Sequence, residues 1–220
     1  MPIVNRATVL RNAVRFKKLK GTSVVSNSFN RRGVKRNPFL NEWVVSRTPF
    51  NETDARFNFK ISKCISDLIL ERKHGVRVLD WGCGEGFALF DCAQKFSNLR
   101  VFGFSRDSYY KWLEFLRYND KGNLDFVFSS HKVFERYLIR RKLKFNLIFE
   151  HSSLVHLFQL DLVKHLNVLV KHLTVGGKIF VSAIDSPNWS DFSEIKKELT
   201  KMGVSVSVND FGAACLTRVK

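Results

Sequence analysis

The sequence predicts an α/β fold: a mostly parallel sheet with helices on both faces and an antiparallel hairpin at its C-terminal end. Three observations carry this. An apolar run, Val76 to Trp81, breaks into three glycines spaced two apart, Gly82, Gly84 and Gly86, before a helical pattern opens at Phe87. Beyond it, apolar runs of strand length at 99–104, 124–128, 145–150 and 179–182 alternate with helix-length segments, the pattern of strand–helix–strand units. Finally, 204–208 and 213–219 alternate well enough to pair as a hairpin.

Taken in order, residues 1–50 form a basic extension set apart from the domain that fills 51–220. Eleven cations, from Arg6 to Arg47, face one acid, Glu42, so this arm supplies ten of the seventeen net positive charges. Three readings stand side by side. Arg-rich, acid-poor termini resemble mitochondrial targeting peptides, a basic arm binds nucleic-acid phosphates, and a charged tail is often simply solvated. Trp43, Val44, Val45 and Phe50 are expected to dock on the domain, because such residues seldom stay in water as a group. From Thr53 the spacing predicts a helix, with Ile61, Cys64, Ile65, Leu68 and Ile69 on one buried stripe and Gly75 just past its end.

The glycine segment is the most informative stretch. Glycines let a backbone turn sharply and approach a ligand without Cβ clashes, and the helix that follows offers unpaired N–H groups to an anionic group. A dinucleotide fingerprint needs its third glycine one residue later, where Phe87 stands. A P-loop needs Gly-Lys-Ser/Thr, which is absent. The whole string, hydrophobic-hydrophobic-Asp80-x-Gly82-x-Gly84-x-Gly86, resembles motif I of the class I (Rossmann-like) S-adenosylmethionine-dependent methyltransferases. The resemblance continues in order to the C-terminus and implies a seven-stranded sheet and S-adenosyl-L-methionine as cofactor. It places Gly82, Cys83, Gly84 and Gly86 along the methionyl end and Asp80 opposite the cofactor's amino group. Asn51, Thr53 and Arg56, on the helix before the first strand, would face the pocket.

The remaining elements carry the resemblance with departures. Strand 99–104 ends in Ser105-Arg106-Asp107-Ser108, where the family places an acid that accepts bonds from both ribose hydroxyls. Ser105 stands there instead, with Arg106 beside it; a serine lacks the charge-assisted bidentate geometry of a carboxylate. Asp107 reads as the N-cap of the next helix. Tyr109 to Tyr118 is a helix whose aromatic stripe reads as core. Ser130 and His131, after strand 124–128, occupy the region where the family holds adenine. The next helix carries the basic cluster Arg136, Arg140, Arg141, Lys142 and Lys144. Strand 145–150 has Asn146 for the family's Asp and ends at Glu150, followed by His151 and His156. Ligands bind beyond the carboxyl ends of such strands, so Glu150 and His151 are the catalytic candidates. His151 is the one to take a proton from the acceptor, and Glu150 is also a cofactor candidate. An amphipathic helix from 158 to 173, a Thr174–Lys178 turn with Val175 for the family's Pro, and a helix from 190 to 202 complete the domain.

Bulk properties narrow the partners. Four scattered cysteines, without a C-x-x-C pair or a histidine at ligand spacing, argue against zinc and against a disulfide framework. No apolar run approaches the roughly 20 residues needed to span a bilayer. A net charge of +17 points to a polyanionic partner. Nucleophile-specific signatures for amines, cytosine C5 or ribose are absent. The expectation is therefore an RNA methyltransferase acting on ribosomal or transfer RNA, bound through the arm and the 136–144 cluster, with no membrane and no metal. The alternatives are a small-molecule or protein methyltransferase and an inactive methyltransferase-like assembly factor. The expected compartment is the cytoplasm, or the mitochondrial matrix if the arm is a targeting peptide.

Overall fold

The computed structural model describes residues 49–58, 60–72, 75–105, 109, 111–150, 159–182, 192–208 and 213–219. In chain order the elements are α1 (Phe50–Arg56), α2 (Lys60–Arg72), β1 (Val76–Trp81), α3 (Phe87–Lys95), β2 (Leu99–Ser105), α4 (Lys111–Tyr118) and β3 (Leu124–Phe128). They continue with α5 (His131–Arg140), β4 (Phe145–Glu150), α6 (Gln159–Lys171), β5 (Leu173–Val181), α7 (Phe192–Lys201), β6 (Val204–Val208) and β7 (Ala214–Arg218). The seven strands lie in the order β3-β2-β1-β4-β5-β7-β6. β1 pairs in parallel with β2 and β4, β2 with β3, and β4 with β5, whereas β7 runs antiparallel between β5 and β6.

Helices cover both faces because each central strand is apolar on both sides, as parallel strands buried above and below must be. One face carries Leu79, Trp81, Phe104, Ile148 and Val181 against α5, α6 and α7. The other carries Val76, Val78, Phe126, Leu147 and Phe149 against α1, α2, α3 and Trp112 of α4. Strand order reverses at β1, whose neighbours are β2 on one side and β4 on the other. The crevice at its carboxyl end is thus the place where such sheets take ligands.

Two expectations are corrected. The single helix from Thr53 is two helices, broken where Asn58 takes a left-handed backbone, φ +54°. Asp54 makes the break: its Oδ1 accepts the N–H groups of Ile61 at 2.9 Å and Ser62 at 3.1 Å, and its Oδ2 accepts the Ser62 hydroxyl. These are orphan donors at the start of α2, so a side chain seven residues upstream does the capping. The turn at Thr174–Lys178 lies inside β5. Phe145 pairs with Leu173 but Leu147 with Lys178, so Thr174 to Gly177 bulge out of register around Gly176 at φ +74°. Phe50 docks as expected, its ring edge-on to Phe96 and Phe149, each 6.1 Å away; Trp43, Val44 and Val45 lie outside the described residues.

Candidate active site

Asp80, at the carboxyl end of β1, alternates with Trp81, so the two side chains leave opposite faces of the sheet. Asp80 is 4% exposed. Burial pushes its carboxyl well above the usual carboxylate range, and the Glu150 carboxylate raises it further. None of the described residues donates a hydrogen bond to it. Glu150, at the end of β4, is fully buried. Its Oε1 accepts the Ser182 amide at 2.7 Å and the Ser182 hydroxyl at 3.2 Å. Two carboxyl groups sealed at the tips of adjacent strands repel one another, and a cation seated between the strand tips and the glycine loop relieves both.

The glycine loop is held from three sides. The amides of Gly82 and Cys83 both donate to the Phe104 carbonyl, at 2.8 and 2.9 Å, and the Gly86 amide closes a turn onto Cys83 at 2.8 Å. Gly82, Gly84 and Gly86 all have positive φ, +86°, +51° and +88°, a conformation that costs any L side chain. Gly86 also abuts the Phe126 ring, which would lie 2.6 Å from an added Cβ. Trp112 donates its indole N–H to the Gly84 carbonyl at 2.9 Å and stacks on Phe126 with centroids 4.6 Å apart. A trans peptide directs its C=O and N–H oppositely, so with the Gly84 carbonyl aimed at α4 the following amide is aimed away from it. The Cys83 thiol is turned inward against Gly103 of β2. Burial, then the nearby Asp80, push its pKa up, so it serves as packing and not as a nucleophile.

Ser105 lies on the same face as Asp80, because Asp80 pairs with Gly103 two residues earlier on β2. It is 7% exposed, and its carbonyl accepts the Ser129 amide at 3.1 Å. Asp80, Ser105 and the glycine loop thus share one side of the crevice. His131 does not join them: its ring stacks on Trp81 at 5.3 Å and meets His165 edge-on at 4.4 Å, on the face carrying α5 and α6. Ser130 is exposed at the start of α5. Arg106, Asp107, His151 and His156 lie outside the described residues. Asn51 and Arg56 are exposed on α1, whereas Thr53 is buried. Sequence reasoning missed Trp112 as a brace of the loop and Ser182 as the partner of Glu150. A buried aromatic in an amphipathic helix carries no mark of what its N–H bonds, and Ser182 depends on the β4–β5 register.

These residues fit S-adenosylmethionine. The buried acid at Asp80 suits an ammonium group, the uncapped N-terminus of α3 behind Gly86 suits a carboxylate, and Ser105 offers one hydroxyl to a ribose. Among the described residues there is no cluster of three metal-ligating side chains and no helix long and apolar enough to cross a membrane.

The sequence matches the family described as "Methyltransferase domain" over residues 72–216. No curated protein matches it. Among solved structures it is similar to magnesium protoporphyrin IX methyltransferase from Synechocystis PCC 6803 with bound SAM, at 14% identity and TM-score 0.55, over 90% of this chain and 98% of that one. The plantazolicin methyltransferase BpumL in complex with SAH gives 14% identity and TM-score 0.53, over 94% and 99%. MycE methyltransferase from the mycinamycin biosynthetic pathway gives 16% and 0.52, over 79% of this chain but only 49% of that one, so the chain spans about half of MycE. Strand order, glycine loop, buried acid and family match agree, and the chain belongs to the class I S-adenosylmethionine-dependent methyltransferases.

Proposed function

We propose that this methyltransferase acts on RNA, with residues 1–50 as a basic extension that holds the substrate and 51–220 as the domain that carries out transfer. The observation that carries this reading is charge: +17 over 220 residues, ten of it in an arm with a single acid. Phosphate neutralisation supplies affinity that falls steeply with salt.

S-adenosylmethionine, when bound, supplies a methyl group on a sulfonium, ready for in-line displacement. The chain's part is to align and to exclude water. Asp80, ionised once a cation sits beside it, balances the amino group. Glu150, held by Ser182, would line the cofactor's side of the strand tip and offer its carboxyl to a cationic ligand. Gly82, Cys83, Gly84 and Gly86 bring backbone along the methionyl end, and Ser105 makes one bond to the ribose. His151, next in chain to Glu150, takes the acceptor's proton. Little other acid–base work is required.

The test is labelled-methyl transfer to total cellular RNA, together with RNA affinity measured against salt. A steep salt dependence that shrinks on deleting residues 1–50 supports the proposal, and no RNA binding at low salt overturns it. That second outcome favours a small-molecule acceptor with the arm as a targeting segment, a reading supported by neighbours such as the magnesium protoporphyrin IX enzyme.

A further inference from the structure

The basic cluster on α5 is not scattered around the helix. Lys132, Arg136 and Arg140 recur every four residues, and all three are exposed, so they form one stripe about 12 Å long at 1.5 Å per residue. Along it lies a cavity of about 330 Å³ lined by Val133, Arg136, Tyr137, Arg140 and Arg141. Arg100 of β2 reaches the same neighbourhood, since it and Arg141 both act on the Tyr137 phenol. Arg100 also pairs with Asp125, 3.0 Å away. Glu135 is the one acid on α5, against the stripe and the exposed Arg141, Lys142 and Lys144 that follow it.

The stripe has a direction. α5 begins beside the crevice, where His131 stacks on Trp81 next to Asp80, and ends near Arg100, at the amino end of β2. Cations laid out over about 12 Å exceed the reach of a single phosphate and match a chain of phosphates, which guanidinium forks bind bidentately. A membrane surface fits less well. An interfacial helix buries an apolar face in lipid, but the apolar face of α5, with Phe134, Tyr137 and Leu138, is sealed in the core. Only Ile139 stands out, at 58% exposure.

We infer that Lys132, Arg136, Arg140 and the arginine-lined cavity form a phosphate track that anchors single-stranded RNA along α5, leading from the end of the helix near Arg100 up to the methyl-transfer crevice. This rests on the RNA reading above and adds where the strand lies. Substrates too short to extend from the crevice along the stripe lose the anchor.

The test uses the full chain and a labelled single-stranded RNA of about 20 nucleotides, followed by anisotropy across a salt series. In Arg136→Gln/Arg140→Gln the slope of log affinity against log salt becomes shallower by about 1.4, at about 0.7 per phosphate contact in single strands. S-adenosylmethionine affinity and melting temperature stay at the wild-type values. Lys197→Gln/Lys201→Gln on α7 leaves the slope within error. An RNA too short to span the stripe binds wild type and the α5 variant alike. An unchanged slope in the α5 variant, with wild type still binding RNA, overturns the track and spares the RNA reading. A slope change matched by the α7 variant shows bulk charge and also overturns the track, as does loss of phosphatidylserine-vesicle binding with RNA binding intact. Failure of wild type to bind RNA at low salt removes both.

Discussion

The indole nitrogen of Trp112 lies 2.9 Å from the carbonyl oxygen of Gly84, joining the first turn of α4 to the centre of the cofactor loop. Trp112→Phe keeps a ring on Phe126 but leaves that carbonyl short of a donor, a cost of about 1–3 kcal/mol in folding stability. Because the bond also sets the tilt of the Gly84 peptide, S-adenosylmethionine affinity in calorimetry is expected to fall about tenfold, or about 1.4 kcal/mol. If urea denaturation shows the loss in stability but the affinity is intact, the bond is only structural.

Asp80→Asn separates stability from binding. A carboxyl held above its usual range binds its proton more tightly in the folded than in the unfolded state. Its contribution to stability therefore declines as pH rises from the ordinary 3.8 through the raised folded value. The variant lacks this liability, so without cofactor it melts higher than wild type at neutral pH, and the gap closes as pH is lowered. Its affinity for S-adenosylmethionine falls about 10- to 100-fold, the range for losing a hydrogen bond to a charged group. A variant that melts lower at pH 7 would contradict the assignment.

Gly86→Ala and Gly122→Ala form a matched pair. Both glycines are left-handed, φ +88° and +62°, but an added Cβ meets Phe126 at 2.6 Å in the first and nothing within 4 Å in the second. Gly122→Ala costs only the backbone penalty, about 1–2 kcal/mol. Gly86→Ala adds about 1–3 kcal/mol of overpacking and abolishes the thermal shift given by S-adenosylmethionine. Equal destabilisation in urea would refute the clash.

His172 should shape the acid limb of stability. Burial holds its pKa below the ordinary 6.5, and its Nδ1 lies 3.0 Å from the Leu143 carbonyl. A histidine with a depressed folded pKa contributes stability that is complete above 6.5 and is lost as pH falls from there to the folded value. His172→Gln is expected to flatten melting temperature against pH below 6.5. An unaltered acid limb would assign it to other groups.

Much of the fold is legible in the sequence because its signals are local. The run from Val76 to Gly86 announces strand, turn and helix within eleven residues, and each central strand is a short apolar block. What is not legible depends on distance in sequence. Asp54 reads as one more polar position in a helix until the chain folds back and the start of α2 meets its carboxylate. Trp112 reads as core, which it is; that its N–H fixes a loop 28 residues upstream follows only from the packing of α4 on β3. Glu150 is a candidate from its place at a strand end, but its lock by Ser182 rests on pairing between β4 and β5. Sequence order puts His131 in the adenine region; that its ring stacks on Trp81 follows only from the packing of α5 on the sheet.

The raised proton affinity of Asp80 has a thermochemical consequence. A cationic ligand seated beside this carboxyl draws it back toward its ionised form, so loading trades one cation for another and the surrounding buffer absorbs the displaced hydrogen ion. Heats measured in phosphate and in Tris should then differ in proportion to the ionisation enthalpies of those buffers, while the Asp80→Asn protein should give the same heat in both.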